Sequence, residues 1–427
     1  MKNVFANRNY RLVFFGALVS NVGALLYSFA VSFYILEITN NNAFLQGLYL
    51  ALCGAVNLIF TPVGGILGDR FHKGKIMFVC DYLKGAAILL ATAAMLLFRE
   101  QTVHLIILFV VGILGNAIGG VFSPASGALL PHIVEEQQLQ QATSYFAIMQ
   151  SLQSIVGVVL AGVLYATLPI HLLFLIVGVC YVLSGVSEMF IRYAHEPKPD
   201  KLTFRSALKD FGEGLRYIKA QKALMAMMAA ILFINFFFTP VASNFIPYFI
   251  KTDLAGAPHY LFDGLLKPEL WSSVLEVLIG VSSMAGALLL SAKAQKEKVG
   301  RSVSWWLFGM AVILALLTGG YWFFVARGVS INGFLILLSV GSLFIGFDVL
   351  EINIPTNTAI MRIVDKDKLS KVNSVISIAS HGLIPIASVL AGAVLQGFGS
   401  TALLLTCTVG FFITALSMLF NPRVKEI

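Results

Sequence analysis

Long apolar runs, joined by short polar segments, recur along this chain of 427 residues. Crossing the hydrocarbon core of a bilayer takes about 20 apolar residues, and a segment in lipid must satisfy its own backbone hydrogen bonds, which favours helices. Charged residues make up only 12% of the chain, against about 25% in soluble domains. We therefore predict twelve transmembrane helices, over residues 10–37, 43–68, 76–98, 103–130, 141–166, 170–192, 223–250, 270–292, 302–325, 331–358, 369–396 and 400–421.

The basic residues fall mainly on one of the two sides that these spans define. With the N-terminus placed in the cytoplasm, 24 of the 29 Lys and Arg residues lie in cytoplasmic segments and 4 in external loops. Lys84, inside the third span, is the remaining one. Cytoplasmic loops of membrane proteins carry the excess of positive charge. We therefore expect a multi-pass membrane protein with both termini in the cytoplasm.

The longest polar stretch separates the first six spans from the last six. It begins with His195 to Asp200, a segment with two prolines that is typical of a linker. Apolar residues at helical spacing follow among Lys and Arg, which predicts an amphipathic helix on the inner membrane surface. These apolar residues are Phe204, Leu208, Phe211, Leu215 and Ile218. We predict a six-helix bundle over 1–192, a linker over 193–222 and a second six-helix bundle over 223–427.

The two halves repeat in parallel. Ile133-Val134-Glu135 recurs as Ile363-Val364-Asp365, and Val159-Leu160-Ala161-Gly162 recurs as Val389-Leu390-Ala391-Gly392. Both matches have the same offset, 230 residues. Parallel repeats related by an axis along the membrane normal are an architecture of secondary transporters, with the site near the midplane. The fold prediction is an all-α membrane protein of two parallel six-helix repeats.

Two motifs resemble those of a known family. The loop after the second span reads Gly65-Ile66-Leu67-Gly68-Asp69-Arg70-Phe71-His72-Lys73-Gly74-Lys75 and resembles the signature of the major facilitator superfamily. The opening, Asn7-Arg8-Asn9-Tyr10-Arg11-Leu12, is similar to the start of its macrolide-efflux branch, which consists of drug:proton antiporters. One departure is Val158, which stands where antiporters of this superfamily often have proline. The resemblance implies a transporter with alternating access, and we expect it in the plasma membrane of a bacterium.

The resemblance also implies a gate. Gly65, Asp69, Arg70 and Lys73 are its expected residues, and Asp69 is expected to approach the N-terminal end of the eleventh span when the inner side is closed. A helix N-terminus favours a carboxylate there. Asp81 and its neighbour Lys84 are expected to support this loop. The simpler alternative is a charged turn that only sets the topology.

Ionisable residues inside a membrane are costly and therefore informative. Asp348 and Glu351 lie three residues apart and share one face of the tenth span. Two neighbouring carboxylates in a low dielectric resist double ionisation. We predict proton-coupling candidates at Asp348, Glu351, Glu276 and His381, with structural salt bridging as the alternative for the first two. Glu188 is expected to pair with Arg192, four residues later on the same helix.

Uncharged polar and aromatic residues inside the spans mark a possible substrate cavity, although each one could equally join two helices. The candidates are Asn21, Tyr27, Asn57, Asn116, Gln150, Gln153, Asn235, Phe236, Asn244 and Ser377. A wide aromatic cavity with few acids fits a bulky amphipathic substrate. Ordinary packing of the 34 Phe residues is the alternative explanation for the aromatic clusters.

The sequence gives no support for catalysis. It contains no Walker loop and no arguable nucleophile–base pair, and its four cysteines lie inside apolar runs without metal-site or disulfide spacing. We therefore expect no enzyme, no cofactor, no metal and no nucleic-acid partner. The expected function is export of bulky hydrophobic or amphipathic compounds by a monomer in the bilayer, driven by the proton gradient. A lipid or lysolipid flippase and a siderophore exporter are the alternatives.

Overall fold

A computed structural model describes residues 4–193, 204–292, 299–364 and 369–421, and within these ranges the chain is helical without a β-strand. The helices of the first half are α1 Arg8–Ile38, α2 Ala43–Arg70, α3 Lys73–Leu97, α4 Gln101–Ile133, α5 Glu136–Leu152, α6 Val158–Thr167 and α7 Ile170–Met189. Those that follow are α8 Phe204–Ala220, α9 Lys222–Pro240, α10 Ile246–Phe249, α11 Leu270–Ala292, α12 Val299–Gly320, α13 Ile331–Ile363, α14 Leu369–Gly382 and α15 Ile384–Phe420.

Ten helical stretches of the described residues are long and apolar enough to cross a membrane. The predicted span 270–292 corresponds to α11, of which the apolar part over Leu270–Gly286 is shorter than the rest. The predicted spans 369–396 and 400–421 join, in the stretch Ser380–Phe420, across a break at Gly399, where φ is 81°. The helical membrane fold is confirmed, and the number twelve stays a prediction.

The chain divides into two compact units. The N-terminal unit comprises Met1–Asn40 and Leu52–Ala207, and the C-terminal unit comprises Asn41–Ala51 and Leu208–Ile427. The start of α2 therefore packs with the C-terminal unit, although the rest of that helix belongs to the N-terminal one. The predicted amphipathic helix forms as α8, and the expected linker residues His195 to Asp200 lie outside the described ranges.

Glycines allow α3 and α7 to run antiparallel at close range in the N-terminal unit. A Cβ atom at Gly85 would lie 3.1 Å from the carbonyl oxygen of Gly178, and one at Gly185 would lie 3.3 Å from the ring of Tyr82. Helices in lipid associate through such small residues because backbones can then approach closely. The helix α1 packs on another face of α7, since a Cβ atom at Gly23 would lie 3.1 Å from Cys180.

The motif at the chain's opening has a structural explanation. The side chain of Asn7 caps α1 by accepting hydrogen bonds from the backbone of Asn9 and Tyr10, and its amide nitrogen donates to the carbonyl of Ile133. Asn9 donates to the carbonyl of Arg192 and accepts from its N–H group. These bonds tie the start of α1 to the ends of α4 and α7. They also provide hydrogen-bond partners for backbone groups at helix ends, which have none within the helix.

The C-terminal unit relies on close contacts along α15. The amide of Ala43 donates to the side-chain oxygen of Gln396 at 3.0 Å. A Cβ atom at Gly392 would lie 2.5 Å from the carbonyl oxygen of Ala43. Further along, Thr318 of α12 and Thr408 of α15 share a hydrogen bond of 2.7 Å between their hydroxyl groups. The helices α12 and α15 are thus held together beside the space described next.

Candidate functional site

A cavity of about 200 Å³ lies within the C-terminal unit, enclosed by α9, α12, α13 and α15. Its wall is mostly aliphatic and methionine-rich. The lining residues are Met227, Ala230, Ile231, Ile234, Asn235, Phe238, Gly300, Val303, Leu307, Met310, Val349, Ile352, Asn353, Thr356 and Met418. Methionine side chains are flexible and polarisable, so they adapt to ligands of different shape. The cavity therefore suits an apolar ligand of variable outline.

Three uncharged side chains supply the polar contacts of this cavity. The amide nitrogens of Asn235 and Asn353 donate to carbonyl groups one turn earlier, those of Ile231 and Val349, at 3.0 and 2.9 Å. Thr356 is buried, and its hydroxyl oxygen has no hydrogen-bond partner. A buried polar atom without a partner is costly, so a ligand that bonds to it gains affinity. Few, separated polar groups in an apolar wall are typical of sites for amphipathic molecules.

The acidic pair of α13 lies next to this cavity without lining it. Asp348 and Glu351 are 2% and 3% exposed. Asp348 faces α12, because its Oδ2 atom lies 3.8 Å from the position that a Cβ atom at Gly309 would occupy, and this oxygen has no hydrogen-bond partner. The two carboxyl groups are close enough to interact electrostatically. The pair thus has the burial expected of a proton-coupling site, beside helices that form the cavity.

A second depression lies between α9 and α15 and is open to the outside of the unit. Its lining includes Phe233 and Ile413, which are 46% and 62% exposed. Ala230 and Met418 line both this groove and the cavity. Only these two side chains are common to the two linings among the described residues. The groove therefore reaches the cavity wall from the side of α9 and α15.

The remaining proton-coupling candidates are placed differently. Glu276 on α11 and His381 near the end of α14 are both exposed, and neither lines the cavity. Ser380, beside His381, donates to the carbonyl of Ile376. Of the predicted proton-coupling residues, the structure therefore brings together Asp348 and Glu351 only.

Four polar side chains, three of them ionisable, lie close together inside the N-terminal unit. We call Asp81, Lys84, Ser184 and Glu188 the N-terminal polar cluster. Asp81 and Glu188 are each 1% exposed. The single hydroxyl hydrogen of Ser184 donates either to the carbonyl of Gly16, 2.9 Å away, or to the carboxylate of Asp81. Asp81 Oδ2 and both carboxylate oxygens of Glu188 have no hydrogen-bond partner. The cluster therefore joins α3 to α7 and α1.

The cation of this cluster sits between aromatic rings. Lys84 Nζ lies 5.3 Å from the ring centroid of Tyr181 and 5.5 Å from that of Phe122, which are cation–π distances. The position of a Cβ atom at Gly119 is 3.5 Å from both Lys84 Nζ and Asn57 Nδ2. The ammonium group is thus held inside the unit, near two helices that carry predicted cavity residues.

One prediction from the sequence changes on this evidence. The helix α7 ends at Met189, so Arg192 lies beyond it and the expected helical pair of Glu188 with Arg192 is wrong. Asp81 contacts Ser184, two turns into α3, and its support of the gate loop stays a prediction. Sequence reasoning missed Lys84 and Glu188 as members of one buried cluster. The signal was present, because each is an ionisable residue within a predicted span.

The predicted gate begins at the end of α2. A Cβ atom at Gly65 would meet no atom within 4 Å. Asp69 and Arg70 are the last residues of α2, and their side chains fall outside the described part of the chain. Lys73 is buried, and its backbone amide donates to the hydroxyl of Tyr193 at 2.8 Å. The contact of Asp69 with the eleventh span stays a prediction.

Most other cavity candidates join helices within one unit. Asn57 donates to the carbonyl of Asn116 at 3.2 Å. Gln153 donates to the carbonyl of Leu18, and Asn244, fully buried, donates to that of Ser388. Gln153 and Asn244 both lie in short π-helical segments, Gln153–Gly157 and Val241–Phe245, which recur at functional sites.

The remaining cavity candidates do not lie together in one site among the described residues. Asn21 and Tyr27 are half-buried on α1, and the Tyr27 ring packs at 5.4 Å from that of Phe174. Phe236 packs edge-on against Phe237 at 5.0 Å. Gln150 is exposed. Ser377 lies on α14, and its side chain is outside the described part.

The fold and the buried polar groups define a polytopic helical membrane protein of the transporter class. The sequence profile of the Major Facilitator Superfamily matches residues 13–387, and the chain belongs to this family of membrane transporters.

Individual relatives agree with this assignment. An uncharacterized MFS-type transporter, YvqJ, from Bacillus subtilis (strain 168) is 26% identical over 92% of this chain and 87% of its own. Macrolide efflux protein A from Streptococcus pyogenes is 24% identical over 74% of this chain and 76% of its own. Among solved structures, a POT family transporter in complex with 5-aminolevulinic acid superposes with a TM-score of 0.77 at 13% identity, over 99% and 98% of the two chains. At that identity, the structural match shows the fold alone.

Proposed function

We propose that this protein exports bulky hydrophobic or amphipathic compounds of the macrolide type by proton-coupled alternating access. The observation that carries the proposal is the wall of the cavity in the C-terminal unit, which is methionine-rich and aliphatic and has few uncharged polar groups. At about 200 Å³, this cavity holds only the apolar part of such a compound, and the rest needs space outside it. A site for a polar solute would need a denser set of hydrogen-bonding groups, because each desolvated polar group of the solute must be satisfied. The similarity to macrolide efflux protein A points to the same class of cargo.

The proton coupling in this proposal rests on Asp348 and Glu351. Both are almost fully buried, close to one another and on the helix that supplies Val349, Asn353 and Thr356 to the cavity. Ionisation of both neighbouring carboxyl groups in a low dielectric costs much free energy. One of them therefore keeps a proton until water or a partner charge reaches it. A substrate that changes the packing of α12 against α13 would alter that balance.

A lipid or lysolipid is the second candidate cargo, favoured by the groove between α9 and α15. This groove is open to the outside of the unit and shares Ala230 and Met418 with the cavity wall. A hydrophobic compound dissolved in the membrane, or a lipid itself, would need such a lateral approach.

The test uses inside-out membrane vesicles that contain the protein. An inward-acidic gradient of about one pH unit is worth about 1.4 kcal/mol and supports up to about tenfold accumulation in one-to-one exchange of an uncharged cargo. We expect accumulation of a radiolabelled macrolide in wild-type vesicles and none in vesicles with the double variant Asp348→Asn, Glu351→Gln. Vesicles without the protein give the background.

Two results would contradict the proposal. Macrolide uptake equal to the background rejects this cargo, and uptake of a fluorescent lysolipid in the same vesicles would then promote the second candidate. Macrolide uptake that ignores the gradient rejects proton coupling, whichever carboxylate is involved. Equal accumulation by wild type and the double variant would reject the assignment to Asp348 and Glu351 while leaving antiport intact.

A further inference from the structure

The N-terminal polar cluster has an unusual charge count for a buried place. Ionised Asp81 and Glu188 together with protonated Lys84 carry one net negative charge. Burial penalises a net charge heavily, even when part of it is paired. Protonation of one carboxylate makes the group neutral, with Lys84 balancing the carboxylate that stays ionised. The cluster is therefore balanced when it holds one exchangeable proton.

The side chains around the cluster supply no other charge. Cys80 and Tyr181 are its titratable neighbours on α3 and α7, and both are neutral in their ordinary state near pH 7. The helix α1 faces it with Gly16, α4 with Phe122, and Asn57 of α2 lies near the ammonium group. The proton count of the described cluster is thus set by its own three ionisable members.

The hydrogen bonds distinguish the two carboxylates. Asp81 can accept a hydrogen bond from the hydroxyl of Ser184 and lies on the same helix as Lys84, three residues before it. Glu188 is equally buried, but neither of its oxygens has a partner. An ionised carboxylate with no donor is the costlier form, whereas a protonated one gives up far less on burial. Glu188 is therefore the group suited to hold the proton.

We propose that Asp81, Lys84 and Glu188 form a proton-binding site in the N-terminal unit, separate from Asp348 and Glu351. A proton from water on one side of the membrane binds a carboxylate oxygen of Glu188. It is held while Asp81 stays ionised opposite Lys84, and it leaves to water on the other side. No bond other than this O–H bond forms or breaks. The use of the site in transport rests on the proposed function.

The packing of α1 links this proton to a movement. A Cβ atom at Gly16 would lie 3.3 Å from Cγ of Glu188 and 3.4 Å from the hydroxyl of Ser184, so α1 packs directly on the proposed proton carrier. Neutral Glu188 is compatible with this dry contact. Ionised Glu188 requires water, which favours separation of α1 from α7. Proton binding would thus favour the packed arrangement of α1 and α7, and proton release would favour their separation.

The charge count gives a test that needs no transport. We would follow the C=O stretching band of protonated carboxyl groups by infrared difference spectroscopy while purified protein is titrated across the neutral range. Wild type should show a titrating band that Glu188→Gln lacks. Asp81→Asn should lack it too, because Lys84 then balances an ionised Glu188. Lys84→Met should enlarge it, since two carboxylates without a cation both take protons.

The matched control is Glu100→Gln, which makes the same change at an exposed glutamate outside both acidic sites. It should keep the wild-type band. Each variant is used only if it is monodisperse and unfolds cooperatively, and Glu188→Asp, which keeps a titratable group, serves where Glu188→Gln does not fold. An unchanged band in both Glu188→Gln and Asp81→Asn would overturn the proposed site.

A second experiment tests the use of this proton in transport. In proteoliposomes, Glu188→Gln should lower the accumulation of radiolabelled macrolide driven by a pH gradient, by up to about tenfold per pH unit, because one proton fewer is exchanged. Without a gradient, the rate of macrolide exchange between the two sides should stay within about twofold of the wild-type rate. Gradient-driven accumulation equal to wild type would reject the role in coupling. If wild type moves no macrolide, the proposed function fails, and the infrared titration still decides the proton site.

Discussion

Substitution of Gly392 by alanine should weaken the contact of α15 with the start of α2. The added methyl group would lie 2.5 Å from the carbonyl oxygen of Ala43 and 3.1 Å from Cα of Phe44. Ordinary contacts begin at 3.4 Å, so the two backbones would have to separate by about 0.9 Å. Overpacking of this kind costs about 1–3 kcal/mol, and the obstacle is backbone, which cannot turn aside as a side chain can.

The same helix offers a matched control at Gly397, where a Cβ atom would meet nothing within 4 Å. Alanine there should gain up to about 1 kcal/mol from helix propensity. The two variants should therefore differ by about 1–4 kcal/mol, or roughly 5- to 700-fold in the unfolding equilibrium. Thermal unfolding of the purified proteins in one detergent measures the difference. Gly392→Ala as stable as Gly397→Ala would refute the glycine contact.

Three further predictions follow from the same structure. Thr318→Val should destabilise the C-terminal unit by about 1–3 kcal/mol because it removes one partner of a buried hydroxyl pair. In thermal unfolding, the double variant with Thr408→Val should lose less stability than the sum of the two single variants. Ala230→Trp should fill the cavity and weaken macrolide binding at least about tenfold in a fluorescence titration, whereas Ala229→Trp, which faces only the groove, should not. In intact cells, a membrane-impermeant thiol reagent should label Gly264→Cys in the expected external loop and leave Gly212→Cys of α8 unlabelled, and the reverse pattern would contradict the expected orientation.

The helices were predictable because an apolar segment in lipid must satisfy its own backbone hydrogen bonds, and a helix does so within the segment. The predicted spans 43–68 and 76–98 agree with Ala43–Arg70 and Lys73–Leu97 to within three residues. The break between the last two predicted spans falls at Gly399, a glycine with positive φ that other residues rarely adopt. Local sequence carries both signals, so no knowledge of the partner helices was needed.

The sites could be predicted only in part, because they depend on which helices meet. Asp348 and Glu351 share a helix face, which spacing alone reveals. The cluster of Asp81, Lys84 and Glu188 needs the antiparallel contact of α3 with α7 at Gly85 and Gly178, far apart in sequence. The pairing of Glu188 with Arg192 was wrong for the same reason, since the end of α7 is set by tertiary contacts.

Proton and drug movement measured together would test the proposed antiport most directly. Proteoliposomes would be loaded with macrolide and a trapped pH indicator, then diluted into macrolide-free buffer of the same pH. Antiport predicts that macrolide efflux acidifies the lumen, and that the double variant Asp348→Asn, Glu351→Gln abolishes this signal. Macrolide efflux through the wild-type protein without any change in luminal pH would contradict proton-coupled export.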